Sequence, residues 1–157
     1  GAAGWQMNVH ALRLTQSLGF DYASDTRGAA PFMPVRRAEI IQCPQIPTTL
    51  PTLDELIGLD GVTEANVADH LLAITREPRP HVYTLHAELE GGKLAPAFEA
   101  LLAGWKAQGY ELVSMAGMAE GLDSKRLPRH EVVDAEIPGR SGTLATQGPE
   151  FLPASQD

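Results

Sequence analysis

The most constraining feature of the chain is the alternation between His81 and Ser114. His81–Leu85 is an apolar-rich run of strand length, Gly91 and Gly92 interrupt it, and Leu94–Gln108 then places Phe98, Leu101, Leu102 and Trp105 near the helical period. Gly109 stops that helix, and Tyr110–Ser114 reads as the next strand. Strand, helix, strand with short links predicts a parallel α/β sheet or part of a barrel, in which chemistry collects at the carboxyl ends of the strands. The rest of the chain follows the same rhythm. Asn8 is placed to cap a helix that ends at Leu18 before Gly19, Phe20–Ser24 reads as a strand closed by Asp25, and Arg27, Gly28, Pro31 and Pro34 mark a loop. Glu39–Gln42 suits another strand. Thr52 is placed to cap a short helix over Leu53–Leu59, and a longer one begins near Thr63 and ends before Pro78 and Pro80. Met115–Leu122 suits a short helix and Glu131–Ile137 a last strand. Pro44, Pro47 and Pro51 leave the segment between them too poor in donors for a helix or a central strand, so an ordered extended loop is expected there.

Charge and cysteine content exclude several functions. With 20 acidic and 12 basic residues and a net charge of -8, the chain lacks the basic face of a nucleic-acid binder, so no nucleic-acid partner is expected. The one cysteine, Cys43, rules out an intrachain disulfide or a cysteine-based zinc cluster, and reads as a half-buried structural thiol. No stretch approaches the roughly 20 apolar residues that cross a bilayer. Membrane contact is therefore expected to be peripheral, with Arg36 and Arg37 as a local patch. Gly1 in place of Met and the run Gly1–Gln6 suggest a piece of a longer chain.

Two polar residues sit where strands are expected to end: Asp25 and His86. A carboxylate near an imidazole orients the ring and fixes its tautomer, which suits a histidine that donates a proton to a leaving amine. The alternative is structural, with Asp25 capping a turn and His86 satisfying its own hydrogen bonds. His10, His70, His81 and His130 have no carboxylate partner at helical or strand spacing, so no metal ligands are expected in this chain. Glu88 and Glu90 follow His86 directly and could reach the same mouth, a solvated loop being the favoured reading. Gly139, Arg140 and Gly142 form a tight basic turn able to hold an anion, a structural turn being the favoured reading.

Several ordered blocks go further than spacing. Ala2-Ala3-Gly4-Trp5, Ser24-Asp25-Thr26-Arg27-Gly28, Ile46–Glu55, Val82–Gly91 and Ile137–Leu144 together resemble the C-terminal half of the 4-deoxy-4-formamido-L-arabinose-phosphoundecaprenol deformylases, within the polysaccharide deacetylase (NodB homology) superfamily. The resemblance implies that residues 1–157 form the C-terminal part of one deformed (β/α) barrel domain. It implies metal-dependent removal of formyl from a lipid-linked amino sugar, a step in lipid A modification and cationic-peptide resistance, at the cytoplasmic side of the inner membrane. The divalent metal, zinc or similar, and the catalytic base would belong to an N-terminal half not present here, so this segment alone would be inactive. By the same resemblance His86 is the catalytic acid and Asp25 its tether, Tyr83 and Leu85 wall the acyl pocket, and Trp5 and Arg27 contribute to substrate binding. Gln6 stands where an arginine is usual, and glutamine cannot neutralise a carboxylate base. Rival readings are deacetylation of another N-acyl sugar or polysaccharide, and a noncatalytic sugar- or lipid-binding relic of the fold.

Overall fold

The computed structural model describes residues 1–152. In chain order its elements are a 3₁₀ turn at Ala3–Trp5, then α1 (Val9–Ser17), β1 (Met33–Arg36), β2 (Glu39–Ile40), α2 (Leu53–Leu56), α3 (Val67–Ile74), α4 (Ala87–Glu90), α5 (Ala95–Ala107), α6 (Met115–Glu120), β3 (Arg129–Glu136) and β4 (Thr143–Glu150). The fold is α/β. Two compact units divide it: the first holds residues 1–49, 114–137 and the chain from Gly142 on, and the second holds Leu50–Val113 with Pro138–Ser141.

The first unit is built on a four-stranded sheet in the order β2-β1-β3-β4. Only β1 and β3 run parallel, while β1–β2 and β3–β4 are antiparallel, so the sheet is mixed rather than the parallel one expected. The reason is local. Arg37 and Ala38 both adopt positive φ, 54° and 61°, making a two-residue hairpin turn that can only join antiparallel strands. Strand β1 falls where Pro31 and Pro34 predicted a loop. Pro34 lacks a donor but keeps its acceptor, and its carbonyl takes the N–H of Ile41 at 2.9 Å. Asn8 caps α1 as expected, its side chain accepting from the N–H groups of His10 and Ala11 at 2.9 and 3.0 Å. Leu12, Ala23, Phe32, Ile41, Cys43, Val132 and Ala145 form the core of this unit. Cys43 is completely buried there, beyond the half-burial expected, and burial pushes its thiol pKa up.

Phe20–Ser24, read as a strand, contributes a single parallel bridge, Ala23 to Gln45, on the Pro44–Pro51 segment. That segment is ordered and extended as its prolines required, and is mostly buried. Thr48 N–H bonds to the Thr26 carbonyl at 3.0 Å and Ile46 N–H to that of Ala23 at 2.8 Å, so the proline-rich loop is laced alongside the residues that carry Asp25 and Arg27.

The second unit is helical. Leu50, Leu53, Leu56, Val67, Leu71, Leu94, Leu101 and Trp105 bury one another between α2, α3 and α5. The amphipathic stripe read in Leu94–Gln108 is the one that supplies Leu101 and Trp105. Trp105 buries its indole but keeps its donor satisfied, bonding the Thr75 hydroxyl at 3.2 Å. His81–Leu85 and Tyr110–Ser114 were expected to be strands; neither forms a ladder with another described residue. An apolar run records burial and extension, whereas a strand also needs a neighbour to accept its bonds. Within this unit Val82 finds such a neighbour at one point, its carbonyl accepting from Leu50 N–H at 3.2 Å.

Candidate functional site

His86 ends the extended segment His81–Leu85 and is the N-cap of α4, with φ -107° and ψ 109°. Its carbonyl accepts from Leu89 and Glu90, the first bonds of that helical turn. Its own N–H donates to Glu90 Oε2 at 2.9 Å, and the other oxygen of Glu90 accepts the Tyr83 hydroxyl at 2.7 Å. One carboxylate thus ties the strand-like segment to the helix at the histidine. Glu90 is 3% exposed, which corrects its reading as a solvated loop residue. A helix that turns back on the segment before it brings the fourth residue after the cap under that segment, so the side chain points inward.

The imidazole faces α2. Nδ1 of His86 lies 3.2 Å from Asp54 Oδ1. Asp54 Oδ2 lies 3.6 Å from Arg140 Nη2, and Arg140 Nε donates to Glu55 Oε1 at 2.8 Å. Glu55 is 1% exposed, and its second oxygen accepts Thr52 N–H at 3.0 Å, the half of a capping box that closes the start of α2. The chain order Asp54-Glu55 therefore places one carboxylate inward to hold the arginine and its neighbour outward to face the histidine. Arg140 is engaged by carboxylates here, consistent with the structural reading of its turn. Gly139 makes that turn possible: φ is +82°, and a Cβ on it would come within 2.1 Å of the Glu55 carbonyl oxygen.

Tyr83 and Leu85 go to different surroundings. Tyr83 stacks on Phe98 at 6.4 Å and meets the edge of Trp105 at 5.3 Å. Burial, with the hydrogen bond to Glu90, pushes its phenol pKa far above the usual value. Leu85, beside His86, is 45% exposed.

The other sequence-predicted residues lie in the first unit. Trp5 is buried at φ 53°, following Gly4 at 59°, and its indole N–H donates to the Thr48 hydroxyl at 3.2 Å. The guanidinium of Arg27 lies over its ring, 4.8 Å from the centroid. A tryptophan in the left-handed region is strained, and it is retained here by a hydrogen bond and a stacked cation. Asp25 is buried, with its N–H donating to Gln45 Oε1 at 2.9 Å and its Oδ2 accepting from Gln45 Nε2 at 3.3 Å. Gln6 spends its amide on the Thr143 carbonyl at 2.9 Å. The fold thus brings together Trp5 with Arg27 in one unit, and Tyr83, Leu85 and His86 in the other; Asp25 belongs to the first unit and His86 to the second.

Sequence reasoning placed Glu90 within reach of His86 while favouring a solvated loop, and missed Asp54 beside the imidazole and the Arg140–Glu55 pair behind Asp54. The signal for Glu90 was present in its spacing after a helix-capping residue, whereas the approach of α2 and the Gly139 turn depends on tertiary packing. Among the described residues no three His, Cys, Asp or Glu side chains gather in a way that could hold a metal ion.

The imidazole of His86 thus has Asp54 of α2 beside it, with the buried Glu90 on its main chain and the buried Glu55 on Arg140. Relatives of the chain bear on its class. No family model matches the chain. It is 37% identical over 145 residues to the probable 4-deoxy-4-formamido-L-arabinose-phosphoundecaprenol deformylase ArnD of Shewanella sediminis (strain HAW-EB3), a match covering 92% of this chain and 46% of that protein. It is 32% identical over 145 residues to the protein of the same description from Wigglesworthia glossinidia brevipalpis, covering 92% and 50%. The chain is thus similar to the ArnD-type deformylases over the part of their length that it covers, and it spans about half the length of the curated relatives it matches.

Proposed function

We propose that the chain supplies the proton donor, His86, to an amide hydrolase that removes formyl from undecaprenyl-phosphate-linked 4-deoxy-4-formamido-L-arabinose. The observation that carries this reading is the placement of His86: an imidazole fixed through its own main chain at the start of a helix and faced by a carboxylate, in a chain similar to deformylases along 92% of its length. In the reaction water adds its oxygen to the formyl carbon, the C–N bond breaks, and formate leaves. The departing sugar nitrogen needs a proton, which His86 gives from its ring. A histidine does this only if the ring is held with one nitrogen toward the substrate and the other toward an acceptor.

Resemblance to the family assigns the tether of that histidine to Asp25, substrate binding to Trp5 and Arg27, and the apolar wall of the acyl pocket to Tyr83 and Leu85. The barrel architecture and a divalent metal belong to this reading as properties of the family. The substrate in the relatives' descriptions is linked to phosphoundecaprenol, which supports peripheral contact with a membrane surface, and the cytoplasmic side of the inner membrane belongs to this reading by resemblance to the family. Among the described residues no helix is long and apolar enough to cross a membrane.

The test is formate release from a 4-formamido-arabinose phosphoprenol by the full-length protein. His86→Ala is expected to lower kcat by about 100-fold or more, the scale of a lost general acid, and Asp25→Asn to lower it less. Release that is indifferent to both changes overturns the assignment, and release of acetate from N-acetyl analogues in place of formate moves the activity to another acyl sugar.

A further inference from the structure

The first unit holds a cavity of about 440 Å³, none of whose lining residues belongs to the candidate site described above. The turn before β3 walls it, together with the first residues of β1 and β3, the residues around β2 and the end of β4. Met33 and Arg129 open β1 and β3 and are partners in register, so the cavity lies at the amino ends of the parallel pair. Substrates of α/β sheets sit at the carboxyl ends of the strands, and a cavity at the other end serves binding and not the hydrolysis itself.

Its charge sets it apart from the rest of the chain. The net charge of the chain is -8, yet the charged side chains lining the cavity are Lys125, Arg129 and Glu150, two positive against one negative. Arg13, Arg36 and Arg140 are each paired to a carboxylate, whereas Lys125 and Arg129 have no ion-pair partner among the described residues. A guanidinium offers parallel N–H donors to two oxygens of a phosphate, and an ammonium adds a point charge, so the pair suits a dianion. Glu150 repels such an anion and would be out of place in a site for phosphate alone. Its oxygens accept O–H donors, and Gln42 and Ser124, which also line the cavity, both donate and accept. We infer that the cavity binds a phosphorylated sugar, its phosphate on Lys125 and Arg129 and its hydroxyls on Glu150, Gln42 and Ser124, an assignment that does not rest on the deformylase reading. These five residues are exposed, while Met33 is buried and Ile40, Leu127 and Phe151 are half-buried. A ligand therefore meets polar groups over an apolar backing, which suits the non-polar face of a sugar ring better than a long hydrocarbon chain.

The walls are fixed before any ligand arrives. Asp123 Oδ1 accepts the Lys125 N–H at 3.1 Å and the Asp123 carbonyl accepts the Arg126 N–H at 2.9 Å, so the turn that carries Lys125 is closed by its own bonds. Just beyond it the Pro128 carbonyl accepts the Met33 N–H at 2.9 Å and the Arg129 carbonyl the Phe151 N–H at 2.7 Å, which ties the start of β3 to the chain on either side. Gln42 N–H donates to Gln16 Oε1 at 2.7 Å and anchors another wall to α1.

Titration calorimetry of the full-length protein with glucose 1-phosphate, glucose, inorganic phosphate and geranyl phosphate tests this, on wild type, Lys125→Ala, Arg129→Ala and Glu150→Ala. All three side chains are exposed, so the variants are expected to keep the fold, which an unchanged urea midpoint checks. Wild type should bind glucose 1-phosphate and not glucose, and loss of either cation should weaken binding about 10-fold or more, the scale of one charge-assisted hydrogen bond. Glu150→Ala should cut the preference for glucose 1-phosphate over inorganic phosphate by about 3- to 10-fold. No binding of glucose 1-phosphate at millimolar concentration overturns the inference, as does binding that is indifferent to both cations or inorganic phosphate held as tightly as the sugar phosphate. Geranyl phosphate bound more tightly than glucose 1-phosphate, and lost in the same variants, overturns it in favour of a lipid phosphate.

Discussion

Replacing Gly139 by alanine separates two costs that are usually confounded. Gly139 has φ +82°, and the added methyl would lie 2.1 Å from the carbonyl oxygen of Glu55. Gly61, in the same unit, has φ +80°, and a methyl there meets nothing within 4 Å. Both substitutions carry the left-handed backbone cost, roughly 1–2 kcal/mol for a residue with a Cβ. Only Gly139→Ala must also push the chain away from α2, and Arg140, the next residue, moves with it. That displacement strains the 2.8 Å bond from Arg140 to Glu55, whose carboxylate is buried. Breaking a buried ion pair costs about 3–5 kcal/mol, and a partial loss with some relaxation gives roughly 2–3 kcal/mol beyond the backbone term. Urea unfolding of wild type, Gly61→Ala and Gly139→Ala, followed by tryptophan fluorescence, should therefore show the second variant about 2–3 kcal/mol less stable than the first. Equal midpoints for the two variants would refute the claim that the close approach of Gly139 to Glu55 holds Arg140 in place.

Glu90→Leu removes both acceptors, so the Tyr83 hydroxyl and the His86 N–H each lose the carboxylate they donate to; a loss of about 1–3 kcal/mol in unfolding free energy and faster hydrogen exchange at the His86 amide are expected. Tyr83 gives a pH signature. Its phenol pKa is raised on folding by burial and by Glu90, so the unfolded chain loses the proton first, and the stabilisation is complete below the ordinary tyrosine value and declines as pH rises above about 10. Tyr83→Phe should flatten that alkaline decline in urea midpoints, and an equally steep decline in the variant would refute the assignment. Cys43, the only thiol, is fully buried with its pKa raised, so labelling by an aromatic disulfide reagent should follow the rate of opening and not the reagent's ordinary reactivity; fast labelling of the native protein would contradict the packing around it.

What could be read in the sequence was what neighbouring residues decide among themselves. Asn8 capping α1, the stripe of Leu101 and Trp105, and the extended Pro44–Pro51 segment each follow from a short stretch of chain and its own bonding needs. Strand pairing was less legible, because Pro34 is compatible with β1 only where its carbonyl is wanted and its missing donor is not, which the sequence around it does not reveal. The site divides in the same way. His86 is recognisable as the polar end of an apolar run, and Glu90 follows from it by the geometry of one helical turn. Asp54, 32 positions before His86, meets it through the packing of α2, and Arg140, 54 positions after His86, meets Asp54 through one glycine turn, so no local pattern points to them. The chemistry follows the same boundary. A candidate proton donor can be guessed from its place at the end of an apolar run, but the side chains packed against it share no feature in the sequence beyond charge. Asp54 and Glu55 are adjacent and chemically alike, and the fold makes them different by burying one and leaving the other in contact with the imidazole. The same two carboxylates exchanged in position would put the longer side chain against His86 and the shorter one under Arg140, shifting both contacts by about the length of a C–C bond, roughly 1.5 Å. A displacement of that order is enough to break a hydrogen bond or an ion pair, so for the packing at His86 and Arg140 the order Asp54-Glu55 matters as much as its charge.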